Sequence, residues 1–472
     1  MRKYQFFFIS LLLASQSFGQ FQNTISQSEK IFGLSKIWQE VNYNFANFDN
    51  VPSLNWDSAY ITFIPKVIQT QNDLEYYKML MRFSALLKDA HTSIYYPKGI
   101  DTSMYTAMFG DYRFYIRNID NKAIIVYINK SKKDEIPIGS EIIEVNDQAT
   151  EKYLENKIIP LISASTDYVV RDWSVANLFW GLKDQKYTIK IKTPSGEIKL
   201  LSLIHQITKE KEIYPSGDRD LFKFKWLDKK IAYVALNSFE DPKIDSLFVD
   251  KLPELRKANG LILDVRKNGG GSSNYGATIA QYLSPDSVIY ASKVTVRTNN
   301  ALYRARGSNY TMKDTVNNAW AAKAYLCYHN KLMEYLATDT RSNDIALKDR
   351  ILIPTVVLMG HETCSAAEEF LLFLDKSKQI IRIGQNSNGS NGQPYFINLP
   401  GGGGMRIMTQ HCTYPDDRKY NGCGVKPDIE VKETVEDFIN NRDAGMLEAV
   451  KYLNSEMTKP ACRQAGSEEA KW

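Results

Sequence analysis

The sequence of 472 residues lacks long blocks of one charge and, beyond its first residues, long apolar runs. Its 59 basic and 54 acidic residues are interspersed, and the formal net charge is +5. A charge this small and this evenly spread argues against a nucleic-acid-binding protein. A hydrophobic fraction of 43% over this length indicates instead a globular protein of two or three domains, not a disordered chain.

Cysteine and histidine are also scarce, with five residues of each. His411 and Cys412 are adjacent, but paired C-x-x-C spacing is missing, so the metal signal is weak and we expect neither a metal nor another cofactor. An odd number of cysteines leaves at least one without an intramolecular partner. The stretch between Cys412 and Cys423 is rich in turn residues, and the sequence leaves a disulfide between them open.

The N-terminus has the features of a secretory signal peptide. Two basic residues precede an apolar run from Phe6 to Ala14, and a small-x-small pair ends at Gly19. An apolar run of nine residues is too short to span a bilayer. We therefore expect cleavage after Gly19, a mature net charge of +3, a periplasmic or extracellular location and no stable membrane span.

Hydrophobic patterns divide the rest of the chain into three regions and a tail. The first has the three- and four-residue spacing of helices, and the second contains short strands between turn signals. The third alternates apolar strands with helices, which predicts an α/β core interrupted by long loops between 285 and 350. The predicted boundaries are 1–19 for the signal peptide, 20–100, 101–210 and 211–455 for the three regions, and 456–472 for the tail.

The second region carries a suggestive likeness to a peptide-binding module. The stretch "IPIGSEIIEVNDQ" at 136–148 resembles a strand and turn of a PDZ domain, which binds the C-terminal ends of peptides as an added strand. We expect this region to contact substrate tails or to gate the site, and not to take part in the chemistry.

Two stretches of the third region place reactive groups after predicted strands. Ser365 follows the apolar "TVVLMG" and begins an amphipathic helix, where free N–H groups and the helix dipole favour an anion. "DVRKNGGGSSNYG" at 264–276 puts three glycines after a buried strand, without the G-K-[ST] ending of a phosphate loop. Taken alone, Ser365 is equally explained as a helix N-cap and the glycines as a turn.

Together these stretches resemble the tail-specific, or C-terminal processing, serine peptidases. That family combines a D-x-R-x-N-x-G-G loop, an S-A-x-E helix start, a G-x-x-T-x-G turn and a closing G-[IV]-x-P-D. The resemblance extends over roughly residues 30–455, and it implies a crotonase/ClpP-like spiral ββα peptidase core with an N-terminal helical domain and a PDZ-like domain. The matching residues are Asp264, Arg266, Asn268, Gly270, Gly271, Ser365, Ala366 and Glu368, followed by "GQNSNGSNGQP" from 384 and "GVKPDIEV" from 424.

The resemblance identifies Ser365 as the nucleophile. It also implies an oxyanion hole made by the backbone N–H groups of Ala366 and Gly270, because a tetrahedral intermediate carries a negative oxygen that preorganised donors must stabilise. Glu368, one helical turn beyond Ser365, either faces this site or anchors the helix.

The usual lysine base of the family is missing. In the larger branch it follows the serine by about twenty-five residues, and this chain has Ser390 there. The nearest lysines, Lys376 and Lys378, belong to the end of the nucleophile's own helix. A Ser–Lys dyad of the usual kind is therefore not expected.

The other branch, which includes tricorn-like members, takes a histidine base from an L-x-D-x-H-T context. "LLKDAHT" has this context and places His91 in the matching position, 274 residues before Ser365. A near-neutral pKa suits an imidazole to proton relay. Two interpretations remain beside this one: His91 merely caps its helix, or His361 or His411, which match no family position, supplies the base.

The third catalytic member is where this chain departs from the tricorn-like pattern. That pattern has a glutamate shortly before the closing motif, and Asn421 occupies the position here. An asparagine can accept a hydrogen bond from imidazole without carrying a charge, so Asn421 is the predicted orienting residue.

The predicted function is a secreted or periplasmic serine endopeptidase that binds a polypeptide substrate, through its C-terminal tail or otherwise, and cleaves it through an acyl-enzyme. One alternative is a catalytically weak or inactive ligand- or peptide-binding protein on the same fold, because the family's lysine and glutamate are both absent. Another is an acyl hydrolase of small esters, because the implied fold resembles the crotonase-like spiral core and ester hydrolysis uses the same acyl-transfer chemistry.

Overall fold

The computed structural model describes residues 23–217 and 220–458. The predicted signal peptide and most of the predicted C-terminal tail lie outside these residues. Within the described residues, no helix is both long and apolar enough to cross a membrane.

The first region folds as helices around an apolar core of their own. The side chain of Asn72 accepts the Glu75 N–H at 2.9 Å and so caps the third helix. That helix ends at Ala85, and the nearby Lys88 has a φ of +47°, which a right-handed helix cannot contain. The elements are α1 Gln27–Asn44, α2 Trp56–Ile68, α3 Asp73–Ala85, β1 Ser93–Tyr95 and α4 Lys98–Asp101.

The second region is a mainly antiparallel sheet with a separate apolar core. A hairpin turns around Pro194, where Lys192 pairs with Ile198 across the turn and Gly196 has a φ of +87°. The elements are β2 Met104–Tyr105, β3 Met108–Phe109, β4 Tyr112–Ile119, β5 Lys122–Asn129, β6 Glu141–Val145, β7 Gln148–Ala149, α5 Thr150–Tyr153, α6 Asp167–Ala176, β8 Gly181–Leu182, β9 Lys186–Lys192, β10 Ile198–Ile204 and β11 Ile213–Tyr214.

The third region is an α/β unit. Its elements are β12 Phe222–Leu227, β13 Ile231–Leu236, α7 Lys243–Val249, α8 Leu252–Leu255, β14 Gly260–Asp264, α9 Ser273–Leu283, β15 Val288–Arg297, α10 Ala301–Gly307, α11 Ala319–Tyr328, β16 Met333–Ser342, β17 Thr355–Met359, α12 Ala366–Phe373, β18 Ile380–Gly384, β19 Pro394–Asn398, β20 Gly404–Met408, β21 Gln410–Thr413, β22 Ile429–Glu430, α13 Val435–Ile439 and α14 Ala444–Thr458. The predicted mixed α/β class is therefore confirmed.

The central sheet of this unit has the order β12-β13-β14-β17-β18-β22. Strand β12 is antiparallel to β13, and the remaining neighbours are parallel. Separate apolar clusters cover its two faces, one including α9 and α12 and the other α14. Because β14 and β17 are parallel neighbours, with Asp264 opposite Leu358, the loops that follow them lie at the same edge of the sheet.

A hairpin of the third region joins the helical region to the rest. Strand β1 pairs with β20, which in turn pairs with β19, and apolar side chains of this hairpin complete the core of the helical region. The Tyr77 hydroxyl donates to the Pro400 carbonyl at 2.6 Å. The loop between α3 and β1, which carries His91, is thereby held against the α/β unit.

The prediction of long loops between 285 and 350 is wrong. Strands β15 and β16 form an antiparallel pair that β21 extends, and α10 and α11 lie between them in sequence. Much of β16 is half-buried or exposed, so its residues do not form the apolar run by which the central strands were predicted. Asp443 caps the last helix, because its side chain accepts the Met446 N–H at 2.9 Å.

Candidate active site

Ser365 occupies a sharp turn between β17 and α12. Its φ of +56° and ψ of −122° are unusual for a residue with a side chain, and such a conformation costs about 1–3 kcal/mol. Two hydrogen bonds hold its N–H, one to the Ser390 carbonyl at 3.1 Å and one to the Glu368 carboxylate at 3.2 Å. Surrounding structure thus imposes the strained backbone that presents Ser365 at the sheet edge.

The glycine loop lies directly against this turn. A Cβ placed on Gly270 would lie 2.8 Å from the Ser365 Cβ and 2.8 Å from the Cys364 carbonyl oxygen, and the φ of Gly270 is +103°. Only glycine fits this position. The Asn268 side chain fixes the loop by donating to the Leu236 carbonyl at 2.9 Å. The two stretches that sequence analysis singled out are therefore in contact.

The two predicted oxyanion donors differ in their surroundings. Within the part of the chain that the structure describes, the N–H of Ala366 has no hydrogen-bond acceptor. The N–H of Gly270 donates to the side-chain oxygen of Asn268 at 3.0 Å. A substrate oxygen can therefore accept the Ala366 N–H without breaking a hydrogen bond of the protein. To accept the Gly270 N–H, it must first replace the Asn268 side-chain oxygen.

His91 lies in the loop after α3 and reaches the same site. Its Nδ1 is 2.5 Å from the hydroxyl oxygen of Ser390, the residue whose carbonyl accepts the Ser365 N–H. Its backbone N–H donates to Asp89 at 2.9 Å, and Asp89 also accepts a hydrogen bond from Asn47 at 3.0 Å. Folding therefore brings His91 and Ser365, far apart in sequence, to one shared neighbour.

The surroundings of His91 favour the neutral imidazole. Burial lowers its pKa from the ordinary value of 6.5, Asp89 opposes this effect, and the positive charge of Arg406 adds to it. A neutral imidazole can accept a proton, so the ring is in the form that a general base needs.

Asn421 makes no hydrogen bond to His91. Its side-chain nitrogen donates to the Asn391 carbonyl at 3.3 Å, and its buried side-chain oxygen has no partner among the residues described. The group bonded to the imidazole is instead the hydroxyl of Ser390. The sequence alone marked Ser390 only as the residue that replaces the family's lysine. Because that lysine is the base in the larger branch of the family, its position already indicated that Ser390 faces the site.

Glu368 is a fully buried anchor for the start of α12. Its carboxylate accepts the Gly389 N–H at 2.7 Å, the Ser390 N–H at 3.1 Å and the Ser387 hydroxyl at 2.5 Å, besides the Ser365 N–H. These hydrogen bonds favour the ionised form and lower the pKa of Glu368. Burial has the larger, opposite effect, and the pKa is raised to about 7. Glu368 thus ties the segment 387–390 to the turn that carries Ser365.

The alternative histidine bases have partners elsewhere. His361 Nδ1 lies 2.6 Å from Asp172, and the ring stacks on Tyr168 at 4.3 Å. His411 Nδ1 lies 2.9 Å from the side-chain oxygen of Asn47.

Among the residues described, the Lys376 and Lys378 side chains take no part in the site's hydrogen bonds, whereas the Cys364 thiol donates to the Ser390 carbonyl at 3.4 Å. The Lys376 ammonium lies over the Tyr290 ring, 4.7 Å from its centre. Cys412 is a buried free thiol and Cys423 an exposed one, so no disulfide joins them. Among the residues described, no group of three or more side chains of the metal-binding types gathers into a metal site.

Comparison with protein families gives a match to the model of Peptidase family S41 over residues 230–431. Residues 230–431 belong to peptidase family S41. This family consists of serine peptidases, so residues 230–431 form a serine-type peptidase domain by family. The S41 match includes the glycine loop, Ser365 and Ser390, whereas His91 lies before its start. No curated protein matches the sequence of the chain.

Solved structures share the fold over most of the chain. Mature CPAF complexed with lactacystin is 12% identical with a TM-score of 0.67, and 91% of this chain covers 99% of that one. A second structure of mature CPAF is 13% identical with a TM-score of 0.66, over 91% and 98% of the two chains. A protein from Parabacteroides merdae assigned as a peptidase is 17% identical with a TM-score of 0.52, over 91% and 96%. The S41 domain and the preceding regions therefore share one overall architecture with these proteins.

Proposed function

We propose that the protein is a secreted or periplasmic serine endopeptidase in which Ser365 is the nucleophile and His91 the general base. The observation that carries this proposal is the hydrogen bonding of Ser390, whose hydroxyl contacts His91 and whose carbonyl accepts the Ser365 N–H. The proposed location rests on the N-terminal sequence alone, and N-terminal sequencing of the exported protein tests it.

In the proposed mechanism, His91 Nδ1–H donates to the Ser390 hydroxyl, which leaves Nε2 free to take the Ser365 proton. The Ser365 oxygen then attacks the carbonyl carbon of the scissile bond. The Ala366 N–H, together with the Gly270 N–H after its release from Asn268, stabilises the negative oxygen that forms.

Collapse of the tetrahedral intermediate breaks the C–N bond as protonated His91 gives its proton to the leaving amine. His91 then takes a proton from water, whose oxygen attacks the acyl carbon. His91 returns this proton to the Ser365 oxygen as the bond between that oxygen and the acyl carbon breaks. In this proposal Ser390 takes the orienting role that the sequence assigned to Asn421.

We assign the second region to a PDZ-like domain that binds substrate tails or gates the site, and the third to a crotonase/ClpP-like spiral core. Two hydrogen bonds near the start of α6 support a link between the second region and catalysis. The Tyr168 hydroxyl donates to the Ser387 carbonyl at 2.6 Å, and the Thr166 hydroxyl donates to the Asn388 carbonyl at 3.3 Å. Both contacts lie in the segment that carries Ser390.

Hydrolysis of an internally quenched peptide, compared with that of a small aryl ester, tests the proposed activity. A peptidase should cleave the peptide, and the Ser365→Ala variant should not. Ester turnover without peptide cleavage would indicate the acyl hydrolase instead. Peptide binding without cleavage by the wild-type protein would indicate the inactive binding protein.

A further inference from the structure

A cavity of about 170 Å³ lies beside His91, where the first two regions meet the β19–β20 hairpin. It is smaller than the roughly 300–1,000 Å³ of pockets for drug-sized ligands, so it suits one side chain or one chain end. Its walls combine apolar, hydroxyl and cationic groups, among them Ala90, Ser93, Ser163, Trp173, Trp180 and Arg406.

Arg406 is the cation of this cavity. It holds the His91 loop by donating to the Ala90 carbonyl at 2.8 Å and to the Ser93 hydroxyl at 3.0 Å. Within residues 23–217 and 220–458, no carboxylate lies within ion-pair distance of Arg406. The nearby Asp89 carboxylate is engaged by Asn47 and by the His91 N–H. A guanidinium has five N–H donors, so Arg406 retains donors for a ligand.

The charge of Arg406 acts on His91 and on the residue before Ser365. Arg406 lowers the pKa of His91, and it opposes the burial that raises the pKa of Cys364, the neighbour of Ser365. Because Arg406 also donates to the carbonyl of Ala90, the residue before His91, a group bound to Arg406 would lie beside the loop that carries the proposed base.

From these contacts we propose that the cavity is a substrate subsite that binds a carboxylate, with Arg406 pairing the charge and the two tryptophans packing on the carbon chain that bears it. This inference rests on the proposed peptidase function and names the substrate chemistry of that site. The carboxylate comes either from an aspartate or glutamate side chain near the scissile bond or from the C-terminus of the substrate. A partly buried arginine without an acidic partner binds either carboxylate in preference to a neutral group, because a charge-assisted, bidentate pair is stronger than a neutral hydrogen bond.

Matched internally quenched peptides test the subsite. One series carries Glu, Gln or Lys in turn at each position around the cleaved bond, and a second differs only in ending in a carboxylate or an amide. We expect kcat/KM to be at least about tenfold higher for the carboxylate member of one pair, since a site built for a group discriminates against its isostere. In the Arg406→Gln variant this ratio should fall to about one.

The ratio separates recognition from support of the His91 loop. Loss of the bonds to Ala90 and Ser93 would lower the turnover of all peptides equally and leave the ratio unchanged. Arg406→Lys, which keeps the charge, should retain part of the preference, and it serves as the second variant if Arg406→Gln does not fold. Arg256→Gln removes an exposed arginine paired with Asp349 and should leave the ratio as in the wild type.

Peptide binding to the Ser365→Ala variant makes the test independent of turnover. A preference for the carboxylate peptide that depends on Arg406, without hydrolysis by the wild type, would retain the subsite and reject the peptidase. Equal binding and equal turnover of the Glu and Gln peptides, and of the carboxylate and amide peptides, would overturn the subsite. A preference that persists in Arg406→Gln would also overturn it. A preference confined to one series identifies the source of the carboxylate.

Discussion

Ser390 contacts His91 through its hydroxyl oxygen, 2.5 Å from Nδ1, and Ser365 through its carbonyl, which accepts the Ser365 N–H at 3.1 Å. The residue that stands where a lysine base is usual thus links the proposed nucleophile to a histidine from another region. Its own N–H donates to Glu368, which also accepts the Ser365 N–H. In the proposed mechanism, this position supports a base instead of supplying one.

Replacing Ser390 by alanine should lower kcat by about tenfold, because one hydrogen bond that orients the imidazole is lost. Ser390→Thr keeps the hydroxyl and should retain more activity. Ser377→Ala is a matched control, since the Ser377 hydroxyl is buried without a partner among the described residues. Wild-type kcat in Ser390→Ala, measured with a quenched peptide, would remove Ser390 from the mechanism.

Replacing His91 by alanine should lower kcat by at least about a hundredfold, the low end of general-base contributions. Lys376→Ala and Lys378→Ala should remain close to the wild type, because neither side chain takes part in the hydrogen bonds around Ser365. Near-normal turnover by His91→Ala, with loss of activity in His361→Ala or His411→Ala, would assign the base to one of those residues.

The pH profile of kcat/KM should show one acidic limb from His91. A base must be neutral to accept a proton, and burial lowers the His91 pKa from its ordinary value of 6.5. Activity should therefore be lost only below the usual range of imidazole, and the enzyme should remain fully active at neutral pH. A limb that lies above the ordinary imidazole value would contradict a buried histidine base.

Replacing Glu368 by glutamine should destabilise the protein and lower kcat together. Each carboxylate oxygen accepts two hydrogen bonds, so the amide nitrogen of glutamine would face two donors in either orientation of the amide group. Leaving such buried donors unsatisfied costs about 1–3 kcal/mol each. Glu362→Gln, at an exposed position of the same turn, is the control. Equal urea midpoints for Glu368→Gln and the wild type would show that the carboxylate is not an anchor.

The central strands and the helices around them were predictable from sequence because their apolar patterns are local. The strands β13, β14 and β17 are largely apolar, and each is buried over its whole length. The segment from 285 to 350 was not predictable in this way. Its strands pair with each other and with β21, but many of their residues are half-buried or exposed. Their sequences therefore show only a weak hydrophobic pattern.

The candidate site was predictable where motifs carry it and not where side chains meet across the fold. Ser365, the glycine loop and His91 stand in recognisable contexts. The hydrogen bond between His91 and Ser390 joins residues 299 positions apart, and no local pattern encodes it. Asn421 was predicted as the orienting residue from its position in the motif. Whether its side chain reaches the imidazole depends on the folded chain, and the motif does not encode it.

Covalent labelling by a fluorophosphonate, located by mass spectrometry of proteolytic fragments, tests the central claim most directly. Such a probe reacts with an activated serine, so we predict a single adduct on Ser365 in the wild-type protein. Labelling should be much slower in His91→Ala and absent in Ser365→Ala. No adduct on Ser365, or labelling of Ser365 that is equally fast without His91, would contradict the account.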